Sequence, residues 1–445
     1  MTGPRQPLNV LYVGTLPPHP GGSAISGAQL VVGLARRGHR VRALAPIALE
    51  GFRHMDGFAA RHRKIPVTRF PVPFFLTATN RGISDEYLDA EARGIAERLP
   101  GLIAAERPDV VFVGREALAF HVPDQLGSIP SVLRTAGGMA IGLLNGTLPP
   151  GQLRYLLRRM REMTRVVSPA RHLAEGLRGA GLANVEVIPN AVDLRRFRPR
   201  PPDANLRRRL GIAPGDVVVM HVSNLKTMKR ALDIGRSARQ ALARDARLLY
   251  VIVGDGPDRQ PLEELCRREG IAGRFRFVGW IDYSRMPRVI ALANLVVMPC
   301  DFDTLARVYL ESQACGRVLV ASDNAGAREV VTHGETGLLF PKGDVAALTA
   351  ATLHAAADAA LRRRIGHWAR VRVAVHDVEA ALDAWIGLLA RVAGVDVASR
   401  TAIGRVDAGA RSGRPVGASQ HRRGPRGPRR PSLAARAEGT VAPAG

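Results

Sequence analysis

Two carboxylates eight positions apart, Asp303 and Glu311, lie in the segment MPCDFDTLARVYLESQACGRVLVAS (298–322). An apolar run ends at Pro299, a loop holds Asp301 and Asp303, and helical spacing then carries Val308, Tyr309, Leu310 and Glu311 until Gly316 closes the element. A helix starting just after that loop leaves backbone N–H groups near Leu305, Ala306 and Arg307 free to face an anion. A diphosphate suits the position, with the two carboxylates accepting hydrogen bonds from a sugar on one side and a ribose on the other. The same spacing is met by Asp303 capping the helix and Glu311 acting as a structural carboxylate.

A second candidate is HVSNLKTMKRALD (221–233), which holds Lys226 and Lys229 in a chain whose only other lysines are Lys64 and Lys342. A lysine is a compact charge suited to phosphate, and at a helix start the dipole adds to it. A solvated basic turn is the alternative. VGDGP (253–257) reads as a strand followed by a glycine turn. No G-x-G-x-x-G follows either domain's first strand, so a nicotinamide or flavin fold has little support. Gly21 and Gly22 follow the first strand, where close approach of backbone to phosphate needs glycine.

These residues need a scaffold that brings loops from distant parts of the chain to one edge. Leu8 to Val13 reads as a buried strand, a Pro- and Gly-rich loop follows, and Gly27 to Gly38 has helical spacing before the strand VRALAP. Strand, loop, helix, strand is a βαβ unit. The alternation continues through 108–113, 131–136, 164–169 and 185–190, and restarts after the Pro- and Arg-rich segment FRPRPPDANLRRRL (197–210) with 216–223, 248–256, 274–280, 292–299 and 317–322. The class is therefore α/β, with a Rossmann-like doubly wound domain over residues 1–198 and a second over 199–376. Residues 377–394 form one more helix, expected to return to the first domain. Residues 395–445, rich in Gly, Pro, Ala and Arg, read as a disordered basic tail.

A formal charge of +25 invites nucleic acid or an anionic membrane as partner. Aromatic residues are few, at 5%, which disfavours base-stacking platforms, so no specific nucleic acid is expected. Peripheral contact with anionic lipid stays open. Cys266, Cys300 and Cys315 are an odd number without paired or metal-like spacing, so a reducing cytoplasm is expected and a disulfide framework is not. No apolar stretch is long enough for a membrane span.

Taken together the motifs resemble glycosyltransferase family 4, the retaining enzymes of GT-B fold, over roughly residues 8–393. GGSAISGAQLVVGLARRGHRV is similar to the family's first glycine loop and helix, VIPNAVDLRRFRP (187–199) to its interdomain signature, HVSNLKTMKR to its phosphate-binding strand and helix, and DTLARVYLESQACGRVLVASDNAGAREVVTHGETGLLF to its acidic donor motif. The resemblance implies a nucleotide diphosphate sugar as co-substrate, no metal, and an unknown acceptor. It places Asp303 on the sugar hydroxyls, Glu311 on the ribose, Lys229 on the phosphates as a catalytic group, and Asn224 where most members have arginine. It also places Trp280 and Ile281 at the nucleobase, Gly22 near the phosphates, and Thr304, Leu305 and Ala306 along the donor. Asp303 is one methylene shorter than the family's glutamate, Leu305 and Ala306 replace a common Phe and Gly, and Ala136 stands where a histidine is frequent. Arg115, Glu116 and Arg134 are then the polar candidates for the acceptor side, with structural ion pairing as the alternative for each. Such an enzyme stabilises charge developing on the leaving phosphate. Two rivals share the architecture: a nucleotide-sugar epimerase or phosphorylase, and a catalytically silent protein that binds nucleotide or an anionic partner.

Overall fold

Segments such as VVFV (110–113), LLYVIV (248–253) and LVVM (295–298) are apolar and buried at every position, the pattern of strands covered on both faces. In the computed structural model of the chain these are inner strands of two sheets whose strand pairs are all parallel. The structure describes residues 7–19, 21–48, 62, 65–73, 85–135, 142, 146 and 149–396. The expected tail beyond 396 and Ala136 lie outside them.

In chain order the strands are β1 (Asn9–Val13), β2 (Arg40–Ala48), β3 (Val67–Val72), β4 (Val110–Val113), β5 (Ser131–Arg134), β6 (Arg165–Ser168) and β7 (Val185–Val187), then β8 (Val217–Val222), β9 (Leu248–Val253), β10 (Phe275–Gly279), β11 (Leu295–Met298), β12 (Val318–Ser322) and β13 (Leu338–Phe340). The first sheet runs β3-β2-β1-β4-β5-β6-β7 and the second β10-β9-β8-β11-β12-β13. Each order reverses once, between β1 and β4 and between β8 and β11. Ligands of open parallel sheets bind beyond the carboxyl ends of the strands at such a reversal. The loops after β8 and β11 hold Lys229 and Asp303.

The structure adds two strands that the sequence reading lacked, β3 and β13, and both are sheet edges. Pro71 in β3 has no N–H for a ladder, which an edge tolerates, and β13 has three residues, so neither carries a strong pattern. Two helix starts also move. The glycine-loop helix begins at Gly22, not Gly27, and the helix expected from Lys229 begins at Ala231, after a 3-10 turn over Thr227–Lys229.

Between the sheets, residues 188–216 include a short helix, Ala204–Arg209, capped by the Asp203 carboxylate on the N–H groups of Asn205 and Leu206. The chain then crosses back. Helix Val378–Ala393 buries Leu382, Trp385, Ile386 and Leu389 in one cluster with Val10, Tyr12, Leu34 and Phe112 of the first domain. Trp385 meets Phe112 edge-on with ring centroids 5.1 Å apart. Arg37 reaches Glu379 and Asp383 at 2.7 and 2.6 Å along the rim.

Because Trp385 sits at the centre of that seam, Trp385→Ala is expected to cost about 3–5 kcal/mol of stability, measured by urea unfolding. A loss below about 1 kcal/mol would mean the helix is loosely held.

Candidate functional site

The loop after β8 is shaped from beneath by a buried imidazole. His221 donates from Nδ1 to the Val297 carbonyl at 2.9 Å, so Nε2 accepts the Ser223 hydroxyl at 2.7 Å. Ser223 Oγ in turn accepts the Leu225 N–H at 3.0 Å. Burial pushes the His221 pKa down to about 4, which keeps the ring neutral. From above, the turn Gly254–Gly256 lies against the same loop. A Cβ at Gly254 would stand 1.8 Å from the Ser223 carbonyl oxygen, and one at Gly256 would stand 1.9 Å from that of Asn224. The glycines of VGDGP therefore serve backbone packing against the lysine loop. Asn224 Oδ1, buried in this loop, has no hydrogen-bond partner among the described residues.

Lys229 and Asp303 meet across the β8–β11 reversal, Nζ to Oδ2 at 2.5 Å. Burial alone would lower the Lys229 pKa, but the Asp303 charge and hydrogen bond overcome it and hold the ammonium above its ordinary value. The two loops are tied twice more. The Asp301 N–H donates to the Met228 carbonyl at 2.9 Å, and Arg230 reaches Asp301 at 3.0 Å while also holding Asp233 at 2.6 Å. Arg230 adopts φ +51° at the head of the helix Ala231–Leu242. The acidic-motif helix spans Arg307–Ala314, with Ala306 as its cap, so Leu305 and Ala306 precede the first turn. Thr304 and Leu305 are buried. Gly326 packs under the loop, where a Cβ would fall 2.2 Å from the Asp303 carbonyl oxygen.

Glu311 lies on the first full turn of that helix and is buried. Its Oε1 accepts the Tyr283 hydroxyl at 2.9 Å and faces Arg307 Nε at 3.5 Å, while Oε2 makes no hydrogen bond to a described residue. Burial raises the Glu311 pKa, and the Arg307 charge and Tyr283 bond oppose it only in part. Arg307 then crosses to the first domain. Its Nη2 donates to Tyr283 Oη at 2.6 Å, and Nη1 donates to Gln29 Oε1 at 2.9 Å and Ser26 Oγ at 3.3 Å. Gly22 sits beside it, with a Cβ 3.4 Å from Arg307 Cδ. Trp280 and Ile281 follow β10, whose last carbonyl, Gly279, accepts the Gly254 N–H at 2.8 Å. Tyr283 opens the next turn, so the expected base-binding residues and Glu311 share one corner.

The acceptor-side candidates are dispersed. Arg115 forms a buried ion pair with Glu91 and lies over the Tyr87 ring, 5.4 Å from its centroid. Tyr87 also meets His19 of the glycine loop at 3.1 Å. Glu116 is buried in the turn after β4. Arg134 donates to Asn190 Oδ1 at 2.6 Å, and Asn190 Nδ2 donates to the Leu305 carbonyl at 2.7 Å, which links β5 to the donor-side loop. Burial pushes the Arg134 pKa down to about 10. Arg134 also lines a cavity of about 40 Å³ with Ser26, Gln29, Asn190 and Trp385, so it faces the domain seam.

Sequence reasoning placed the Arg307 backbone at the site but missed its side chain, and missed Tyr283, Gln29 and Asn190 altogether. Arg307 had a signal, since it precedes Glu311 by four positions on a helix. The pairing of His172 with Glu329 at 2.7 Å, again between domains, had none. No cluster of three or more His, Cys, Asp or Glu suited to a metal occurs among the described residues.

The profile described as Glycosyl transferases group 1 matches residues 202–372, and that of Glycosyltransferase Family 4 matches residues 20–196. A 2-deoxystreptamine N-acetyl-D-glucosaminyltransferase of Streptomyces fradiae is 32% identical over 213 residues, 47% of this chain and 51% of its own, so the match spans about half the length of that relative. An N-acetyl-alpha-D-glucosaminyl L-malate synthase of Bacillus anthracis is 25% identical over 80% of this chain and 90% of its own. Among solved structures, Anabaena HepE with UDP and glucose superposes with a TM-score of 0.70 at 20% identity, covering 86% of this chain and all (100%) of that one. Sucrose-phosphate synthase from Thermosynechococcus elongatus gives 0.69 at 20% identity, covering 86% and 98%. The fold is GT-B, two Rossmann-like domains facing across a cleft.

The buried Arg307–Glu311 contact yields a signed expectation. Arg307→Met removes the counter-charge and should cost about 3 kcal/mol, and Arg307→Met/Glu311→Gln should recover part of it. The Glu311 pKa is raised in the fold, so the native state holds its proton longer than the unfolded chain does. Stability therefore falls as pH rises through the window between the ordinary glutamate value and the raised one. The Arg307→Met deficit should accordingly shrink on acidification below that window, read from urea midpoints across pH. A deficit independent of pH would show that packing, not charge, is what Arg307 supplies.

Proposed function

The chain belongs to glycosyltransferase family 4, and we propose that it moves a hexose or N-acetylhexosamine from a nucleoside diphosphate to a hydroxyl acceptor with retention of anomeric configuration. The observation that carries this reading is the Lys229–Asp303 pair at the β8–β11 reversal, beside the start of the helix that bears Glu311. The diphosphate lies between the lysine loop and that helix start. Lys229 shares its N–H groups between Asp303 and a phosphate oxygen, and Asn224 turns its amide donor to the same group. Asp303 accepts from hydroxyls of the transferred sugar. Glu311 offers Oε2 to the ribose while Tyr283 and Arg307 hold Oε1. Trp280 and Ile281 flank the base, and Gly22 lets the first-domain loop approach the phosphates from the other side.

In the chemical step the bond from the anomeric carbon to the diphosphate oxygen breaks as the acceptor oxygen attacks from the same face. The leaving phosphate oxygen takes the acceptor's proton, so no protein base is required. Lys229, Asn224 and the helix-start N–H groups meet the charge that develops on the leaving group. Closure of the two domains excludes water. Charge stabilisation by these groups makes the reaction independent of a divalent cation. The acceptor enters from the first-domain side, near Glu116 and the buried Arg115–Glu91 pair, which positions the surrounding turn.

A panel of UDP-, GDP- and ADP-sugars should raise the melting temperature for one nucleotide class, since a ligand at ~100 times its dissociation constant adds ~2.7 kcal/mol to the folded state. Lys229→Ala and Glu311→Ala should each abolish that shift, and EDTA should leave it unchanged. No shift with any of the three classes would remove the donor site from this reading and favour a silent scaffold. Conversion of the nucleotide sugar without acceptor would favour an epimerase.

A further inference from the structure

Among the described residues four large apolar side chains are exposed, and three share one stripe: Trp368 at 51%, Val371 at 48% and Val375 at 80%. The fourth, Tyr155, is stacked on Phe120 with ring centroids 5.5 Å apart. Trp368 and Val371 lie on helix Ala359–Arg372, and Val375 on the 3-10 turn Val373–His376 that continues it. Spacing of three and then four places them on one face. The helix buries Leu361, Ile365 and Ala369, and the stripe runs along the margin of that buried face. The stripe thus extends the apolar margin of the helix into solvent, with Arg364 in line with it four residues before Trp368, and such aligned exposed apolar side chains mark a candidate interaction surface.

Charge decides what covers it. Arg363, Arg364 and Arg372 are exposed on the same helix. On another side of the same helix Arg370 holds the carbonyls of Leu194 and Phe197 at 3.2 and 2.9 Å, and Arg195 and Arg198 of that segment are exposed. The acidic residues nearby, Asp358 at one end of the stripe and Asp377 with Asp193 and Glu379 at the other, stand beyond its ends. A second copy would set like charge against like charge. The chain's own C-terminal segment HRRGPRGPRRP (421–431) is basic too and is repelled for the same reason. An anionic partner remains. A peptide helix would need a groove, and this face is the convex side of a helix, which suits a plane. Tryptophan favours the boundary between water and hydrocarbon, and arginine stems lie along apolar surface while their heads reach phosphates.

We propose that the Trp368–Val371–Val375 stripe docks the protein on an anionic lipid surface, with the apolar side chains in the headgroup boundary and the flanking arginines on lipid phosphates. The full chain should co-sediment with vesicles of phosphatidylcholine containing phosphatidylglycerol and far less with phosphatidylcholine alone. Trp368→Ala/Val371→Ser/Val375→Ser should weaken that binding roughly tenfold or more at an unchanged melting temperature. Arg364→Glu/Arg372→Glu should weaken it as well and flatten its salt dependence. Wild-type binding in the triple variant would assign lipid attraction to the basic C-terminal segment and overturn the proposal. So would equal binding to neutral vesicles, or a dimer in sedimentation that the triple variant dissolves, since that makes a second copy the occupant.

Discussion

Arg307 keeps a full positive charge almost out of water, at a side-chain exposure of 9%, and such burial is tolerated only where acceptors and an opposite charge surround it. Its hydrogen-bond acceptors, Tyr283, Ser26 and Gln29, and its charge partner, Glu311, come from two domains. Glu311 and Tyr283 belong to the second, Ser26 and Gln29 to the first. The placement of one sheet against the other is thereby coupled to the state of the Glu311 carboxylate. The coupling is uneven. The charge partner and the tyrosine move with Arg307, whereas the first domain supplies neutral acceptors that water can replace. Separation of the domains at this point exchanges two charge-assisted hydrogen bonds to neutral acceptors for bonds to water and leaves the ion pair intact. Asn190 adds a second bridge of the same kind, through the Leu305 carbonyl.

The lysine loop has the opposite electrostatic character. Burial, and then the charge of Lys229, lowers the Lys226 pKa, which marks a place where positive charge is crowded. Asp303 pairs with the Lys229 ammonium. His221, directly below, stays neutral and adds no charge, but through Ser223 it fixes the backbone at Leu225, where φ is +43°. Gly254 and Gly256 close the loop from the other side. The result is a turn held from both sides at the carboxyl edge of a parallel sheet, with Lys229 on Asp303 and Arg230 on Asp301 and Asp233. Preorganisation of that kind is what makes electrostatic stabilisation effective.

Much of this was legible in the residues. The inner strands are apolar at every position, and their alternation with helical spacing gives the α/β class and two sheets. Lys229, Asp303 and Glu311 stand out by type and spacing, and the structure brings them to one edge. The edge strands were not legible, because Pro71 breaks the pattern of β3 and three residues carry no period in β13. Nor was the seam. Gln29, Asn190, Tyr283 and His172 matter through contacts 100 or more residues away in sequence or through a shared buried charge, and no local periodicity records such a contact. Arg115 shows the converse. The sequence left it open between an acceptor contact and a structural ion pair, and the structure shows the pair, with Glu91, 24 positions earlier on another element.

Arg370 explains why the surface stripe and the donor helix belong to one mechanical unit. Its guanidinium donates to the Ala314 carbonyl at 3.0 Å, and to those of Phe197 and Leu194. Ala314 is the last residue of the helix that begins at Arg307, so its carbonyl is one of the orphan acceptors of that helix end. A cation there also complements the helix dipole. The element that presents Trp368 and Val371 to solvent therefore caps the element that presents Glu311 to the cleft, and it fixes the segment leading from one domain to the other.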